Sequence, residues 1–169
     1  MKSFCSEHVF QAPSTAIIFA AYFDPELQVV QDRAVDIDAR EILEYTDDGK
    51  VIRRVCRVTP RRQLPALLKP FSSGSLHYIE TVTWNREDDQ LSVEMRPSIL
   101  KGRAIISGTY KLERIAPNAI RRRYEGEVSV DIALLAARIE RHIAEELERS
   151  IPLAAACTQD WILRNQPSA

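Results

Sequence analysis

The sequence predicts a single α+β domain of order β-α-α-β6-α, a curved seven-stranded antiparallel sheet wrapped around one long C-terminal helix. Two patterns indicate this class. From Ile37 to Ile132, β-branched and aromatic residues alternate with charged ones between recurring turn signals. From Leu134 to Leu163, apolar residues recur at helical spacing. A chain of 169 residues suits one domain, which we expect over residues 1–165 with a short tail over 166–169.

The first part of the chain predicts one strand and two short helices. Alternation over Phe4–Phe10 is typical of a strand. Pro13 lies near the start of a first helix, and Asp24 followed by Pro25 is a strong start signal for a second. The apolar side of this second helix is expected to carry Leu27, Val30 and Ala34.

Six further strands are predicted from alternation and turns. An Asp-Gly turn at 48–49 joins strands at 37–45 and 51–59, in a register that places Glu44 opposite Arg53 as an exposed ion pair. The remaining strands are expected at 75–84, 91–97, 103–114 and 119–131. Because short loops link them, they form an antiparallel meander that one long helix can cover.

Pro152 interrupts the pattern of the terminal helix. A proline in a helix interior removes one backbone hydrogen bond and costs about 3 kcal/mol. We therefore predict a kink or a brief break near residues 148–152. The apolar stripe of this helix includes Leu135, Ile139, Ile143, Leu147 and Ile151.

Strand alternation also assigns an inner face to the sheet. That face is mainly apolar, with a few polar members: Tyr78, Glu80, Tyr110, Arg122 and Tyr124. Gly108 and Gly126 are expected to lie opposite each other, which would permit a sharp bend, a close helix approach or room for a ligand. The charged residues Glu80 and Arg122 either bind a ligand or a catalytic water, pair with each other or with Arg54, or lie at a wet rim.

Composition limits the classes of function. The 23 basic and 24 acidic side chains leave a formal net charge of -1, so we expect no nucleic-acid partner. The longest apolar run, Ala16–Phe23, is far shorter than the ~20 residues of a membrane helix and lacks the basic start of a signal peptide. We therefore expect a soluble cytoplasmic protein without integral membrane association.

Motifs for metal, cofactor or nucleophilic chemistry are not recognisable. Cys5, Cys56 and Cys157 lack metal-ligand spacing, and the five glycines form no phosphate-binding loop. We predict no catalytic residue, no metal site and no cofactor.

Several short motifs, in order, resemble those of a known superfamily. They are Glu7-His8-Val9-Phe10 with Ala12-Pro13, Leu64-Pro65 with Phe71, Glu80-x-x-x-Trp84, Gly108-Thr109-Tyr110-Lys111-Leu112-Glu113, Glu125-Gly126-Glu127-Val128-x-Val130, Ile139-Glu140 and Thr158-x-x-Trp161. Their order and spacing resemble the START-like or SRPBCC superfamily, which has the helix-grip fold and includes Bet v 1-like proteins and aromatase/cyclases. The local sequence also resembles an uncharacterised bacterial family within it. Asp131–Ala137 departs from that pattern, which affects the expected start of the helix.

The resemblance implies an apolar cavity between the sheet and the terminal helix. The residues expected to line it are Tyr78, Glu80, Met95, Tyr110, Arg122, Tyr124, Ile139, Ile143 and Leu147. The apolar loop at 60–74, with Leu64, Leu67 and Phe71, is expected either to cover the mouth of the cavity as a lid or to pack beneath it.

Three functions remain open on the sequence alone. The first is a module that binds a small hydrophobic or aromatic molecule, with lipids among the candidates. The second is a cyclase/aromatase-like or hydrolase-like enzyme that uses Glu80, Tyr110 and Arg122 as acid–base and orienting groups. The third is a protein-interaction domain that uses the groove or the apolar loop.

Overall fold

A computed structural model describes residues 1–61, 66, 68–71 and 74–166. The strands are β1 (Lys2–Gln11), β2 (Ile37–Asp47), β3 (Val51–Pro60), β4 (Tyr78–Asn85), β5 (Gln90–Pro97), β6 (Ala104–Ala116) and β7 (Ala119–Val130). The helices are α1 (Thr15–Phe23), α2 (Pro25–Ala34) and α3 (Ala136–Asn165), with short 3₁₀ helices at Lys69–Phe71 and Ser98–Leu100.

The described strands form one antiparallel sheet in the order β1-β7-β6-β5-β4-β3-β2. Strands β2 to β7 make a meander, and β1 returns to pair with β7. The α1–α2 pair therefore connects the two edges of the sheet. The predicted fold class, an unclosed antiparallel sheet with a long C-terminal helix, is confirmed.

The two short helices begin where their capping residues predict. Asp24 accepts a hydrogen bond from the Leu27 backbone N–H at 2.8 Å, and Pro25 occupies the first turn. The predicted apolar side of α2 is wrong, however, because Val30 is exposed and Leu27 is the buried apolar residue of the helix. Gln31 instead faces inward and donates to Thr158 of α3, so polar groups make the contact between these helices.

The β2–β3 register differs from the prediction. Glu44 lies opposite Val55, because the turn places Asp47 opposite Ile52 and this register continues to Glu44. Irregularities between Ile37 and Ala39 and between Ile42 and Glu44 shift the register only farther along β2. The Arg53–Glu44 ion pair nevertheless forms, across the diagonal rather than directly between opposite residues.

The inner face of the sheet follows the predicted alternation. On β7, Ile120, Arg122, Tyr124, Val128 and Val130 are buried, whereas Arg123 between them is exposed. On β3 the buried residues are Ile52, Arg54, Cys56 and Val58, which alternate in the same way.

Gly108 and Gly126 lie directly opposite each other, as predicted. They do not leave room for a ligand, because aromatic rings already cover them. A Cβ atom on Gly108 would lie 2.5 Å from the Tyr124 ring, and one on Gly126 would lie 2.1 Å from the Ser107 carbonyl oxygen and 2.8 Å from the Phe4 ring. The glycines therefore permit a close approach of backbone and rings.

The terminal helix differs from the prediction in two respects. It begins at Ala136 rather than at Leu134, which has a left-handed φ of 67° and is exposed. Of the predicted kink or brief break near residues 148–152, the break is wrong, since α3 continues through Pro152, and the kink stays a prediction. Pro152 lies on the exposed side, where water can bond the freed Glu148 carbonyl, and buried Ile151 and Ala155 hold the helix on either side.

Replacing Gly126 with alanine should lower the free energy of unfolding by about 2–3 kcal/mol, because the new Cβ would collide with β6 backbone that cannot move aside alone. Urea denaturation measures the change. Ser107→Ala, on the exposed face nearby, is the control and should stay within about 0.5 kcal/mol of wild type. Equal stability of Gly126→Ala and wild type would contradict this account of the contact.

Pro152→Ala should raise the free energy of unfolding, by up to about 3 kcal/mol, because it restores the hydrogen bond to the Glu148 carbonyl within a continuous helix. Glu145→Ala, an exposed change on the same helix, serves as the control for denaturation curves. A loss of stability in Pro152→Ala alone would mean that the proline shape is needed at this position.

Candidate ligand-binding site

Two adjoining cavities lie between the inner face of the sheet and α3. The outer cavity has a volume of about 380 Å³ and the inner one about 170 Å³. Six residues line both of them: Val35, Ile37, Tyr78, Met95, Leu147 and Ser150. The shared walls make the two cavities neighbouring compartments of one site.

The outer cavity is predominantly apolar. Its own lining includes Leu68, Leu76, Ile99, Ile106 and Ile143. Charged residues also border it: Glu146 and Arg149 of α3, and Asp36, which precedes β2. A volume near 400 Å³ with apolar walls is in the range of small-molecule sites.

The inner cavity carries the polar residues predicted for the inner face. Glu80, Tyr110, Arg122 and Tyr124 all line it. Tyr78, Met95 and Leu147 line both cavities, and Ile143 lines only the outer one of the two. Ile139 does not line either, because it is fully buried in the core.

The predicted lid is described only in part. Leu64 and Leu67 lie outside the described residues. Phe71 packs against the main core and lines a separate cavity of about 250 Å³ beside Leu100. Among the described residues of this loop, Pro60 at its start and buried Leu68 line the outer cavity.

An ion cluster forms one wall of the inner cavity. Arg40 of β2 donates to both carboxylate oxygens of Asp32 on α2, at 2.9–3.2 Å, and to Glu80 of β4 at 2.5 Å. Their side chains are only 11–15% exposed. Burial lowers the pKa of Arg40, but attraction by Glu80 and the hydrogen bond to Asp32 outweigh burial and leave it above its ordinary value.

The other two arginines of the inner cavity have different surroundings. Arg122 donates to the Tyr22 hydroxyl at 3.2 Å and lies over the Phe10 and Tyr110 rings, 4.8 and 5.0 Å from their centroids. Arg54 donates to the backbone carbonyl of Tyr22 and to Gln28, both at 3.0 Å. Their exposed fractions are 3% and 5%.

Three tyrosines pack together beside Arg122. The Tyr110 and Tyr124 rings are stacked, with centroids 4.0 Å apart, and the Tyr22 ring tilts against Tyr110. Burial raises the pKa of all three hydroxyls above the ordinary value. They are therefore neutral at physiological pH and act as hydrogen-bond donors or acceptors rather than as charges.

Sequence reasoning missed Tyr22, Asp32 and Arg40. Tyr22 belongs to an apolar helix with no marked polar face, and Asp32 lies on the side of α2 that was expected to face solvent. The irregularities in β2 disrupt the alternation that would have pointed Arg40 inward. The sequence offered one signal for this pair: a carboxylate on α2, Asp32, is followed by an arginine on the next strand, Arg40.

Comparisons with known proteins agree with this architecture. Residues 7–162 match a family described as a protein of unknown function (DUF2505). The chain belongs to the DUF2505 family. No curated protein matches it.

Solved structures similar to this DUF2505 protein come from the superfamily that its motifs resemble. A START superfamily protein from Mycobacterium smegmatis has 11% identity over 97% of this chain and 99% of its own, with a TM-score of 0.62. The Zhui aromatase/cyclase from Streptomyces sp. R1128 has 10% identity over 96% and 94%, with a TM-score of 0.63.

A norcoclaurine synthase point mutant from Thalictrum flavum, in complex with a transition-state analogue, has 17% identity over 98% of this chain and 96% of its own, with a TM-score of 0.65. The predicted START-like resemblance is confirmed. At these identities the similarity shows the fold and does not transfer an activity.

Two further observations concern the described part of the DUF2505 chain. None of its helices has the length and apolar character needed to cross a membrane. Its His, Cys, Asp and Glu side chains form no group suited to holding a metal ion.

Arg40→Met should lower the free energy of unfolding by roughly 3 kcal/mol, because it leaves Asp32 and Glu80 as neighbouring, poorly solvated carboxylates. Denaturation of Arg53→Met, which removes an exposed arginine from its pair with Glu44, gives the control and should cost less than about 1 kcal/mol. Similar losses in both variants would show that the cluster behaves as a surface pair.

Proposed function

We propose that this protein binds a small hydrophobic or aromatic molecule in the paired cavities between the sheet and α3. The carrying observation is the junction of an apolar outer compartment with a smaller polar inner one. Such a site buries an apolar ligand and orients it through a few polar groups. The fold, shared with START-like and Bet v 1-like proteins, is compatible with this function.

The paired cavities are better suited to this role than a larger depression on the surface of the sheet. That depression, of about 820 Å³, lies on the opposite face of the sheet and is lined by hydroxyl and charged side chains such as Thr81, Ser92 and Glu94. Its polar character offers little free energy for binding an apolar molecule, because that free energy scales with the apolar area removed from water.

The contacts favour binding over catalysis by the predicted trio. Glu80 is engaged by Arg40, and Arg122 donates to the Tyr22 hydroxyl. The Tyr110 ring packs against the Tyr22 and Tyr124 rings and lies under the Arg122 guanidinium. Glu80 is held as the ion-pair partner of Arg40 and an arginine stays protonated, so Glu80 and Arg122 are better suited to orienting a ligand than to transferring protons.

Filling the cavity should abolish binding of the neutral apolar dye N-phenyl-1-naphthylamine. Ser150 borders both compartments, so Ser150→Trp should weaken dye affinity at least tenfold in a fluorescence titration. Wild type should bind one dye molecule per chain.

Ala156→Trp, on the exposed side of the same helix, is the matched control and should bind as wild type does. Melting curves verify that both variants are folded. Absence of dye binding to wild type, or equal affinity in both tryptophan variants, would overturn the proposed function.

A further inference from the structure

The charges of the side chains that line the inner cavity do not sum to zero. Three arginines and two carboxylates line it, which leaves an excess of one positive charge. Both carboxylates, Asp32 and Glu80, bind Arg40. Within the described residues, Arg54 and Arg122 therefore have neutral hydrogen-bond partners and no carboxylate at ion-pair distance.

Each of these guanidinium groups has donors to spare. A guanidinium carries five N–H donors. Arg122 makes one hydrogen bond, to the Tyr22 hydroxyl, and aromatic rings cover its face. Arg54 makes two, to Tyr22 and Gln28, while its Nε is buried without a partner.

A third unsatisfied donor lines the same cavity. Among the residues that the structure describes, the Tyr124 hydroxyl has no hydrogen-bond partner, although Tyr124 is only 2% exposed. Burial raises the pKa of Tyr124 well above its ordinary value, so its proton is retained. An unpaired buried hydroxyl and an unneutralised buried guanidinium are both unfavourable, and both would be satisfied by an anionic acceptor.

The dimensions of the cavities restrict the form of this acceptor. A water molecule takes up about 30 Å³ of liquid water. The inner cavity, at about 170 Å³, therefore accommodates a small head group and little more. The apolar outer compartment continues from it past Met95 and Leu147. A planar carboxylate can accept two parallel hydrogen bonds from one guanidinium group. A carboxylate is therefore the head group that best fits these arginines.

We infer that the ligand is an apolar carboxylic acid whose carboxylate occupies the inner cavity, with Arg122 and Arg54 as its counterions. The Tyr124 hydroxyl donates to the same carboxylate, and the apolar part of the ligand fills the outer cavity. This inference rests on the proposed function and adds the chemical class of the ligand to it.

Competition against N-phenyl-1-naphthylamine tests the inference with two ligands of equal chain length, decanoate and 1-decanol, at pH 7.5. Wild type should bind decanoate at least tenfold more tightly than 1-decanol. In Arg122→Met this preference should fall to nearly one, and in Tyr124→Phe it should fall several-fold. Arg53→Met, which removes an exposed arginine of β3, should keep the full preference.

Stability measurements provide a second readout. Arg122→Met removes a buried charge that lacks a carboxylate, so its melting temperature without ligand should equal or exceed that of wild type. Excess decanoate should raise the melting temperature of wild type clearly more than that of this variant, which retains only the apolar part of the binding free energy. If Arg122→Met does not fold, the decanoate preference of Tyr124→Phe decides.

The two proposals fail in different ways. Equal affinity of wild type for decanoate and 1-decanol, or an unchanged preference in both variants, would overturn the carboxylate inference and leave the binding function in place. No binding of the dye or of either decyl ligand to wild type would overturn the proposed function, and the inference with it.

Discussion

The inner face of the sheet depends on one close contact, between the backbones of β6 and β7 at Gly108 and Gly126. No side chain fits between them there, since a Cβ on Gly126 would lie 2.1 Å from the Ser107 carbonyl oxygen. The space above the pair is taken by the Phe4 and Tyr124 rings. Tyr124 in turn stacks on Tyr110, and this ring pair forms part of the wall of the inner cavity.

Charge is arranged differently on the two faces of the sheet. On the outer face, cations lie beside anions on neighbouring strands, as Lys111 does beside Glu125, and solvent screens each pair. On the inner face, Arg40 forms ion pairs with two carboxylates, while Arg54 and Arg122 donate hydrogen bonds to neutral oxygen atoms. A protein that is nearly neutral overall therefore has a locally positive interior cavity, which is the feature from which we infer an anionic head group on the ligand.

Much of the fold was predictable because local and tertiary preferences agree. Alternation on β7 assigned Arg122 and Tyr124 to the inner face, and Asp24 marked the start of α2. Predictions were wrong where these preferences conflict. Helical spacing placed Val30 inside, whereas contacts with α3 and the cavity turn the polar side of α2 inward. Pro152 does not break α3, because packing on either side maintains the helix.

The sequence by itself determined the order of the elements, the inner face of each central strand and the polar residues that this face would carry. It could not determine their partners, because a partner is set by distances between segments far apart in the chain. Only the tertiary structure decided that Glu80 pairs with Arg40, whereas Arg122 has no carboxylate partner among the described residues. The physical reason is that alternation defines a direction for each side chain, whereas charge compensation depends on which groups meet when the sheet, α2 and α3 close around the cavity.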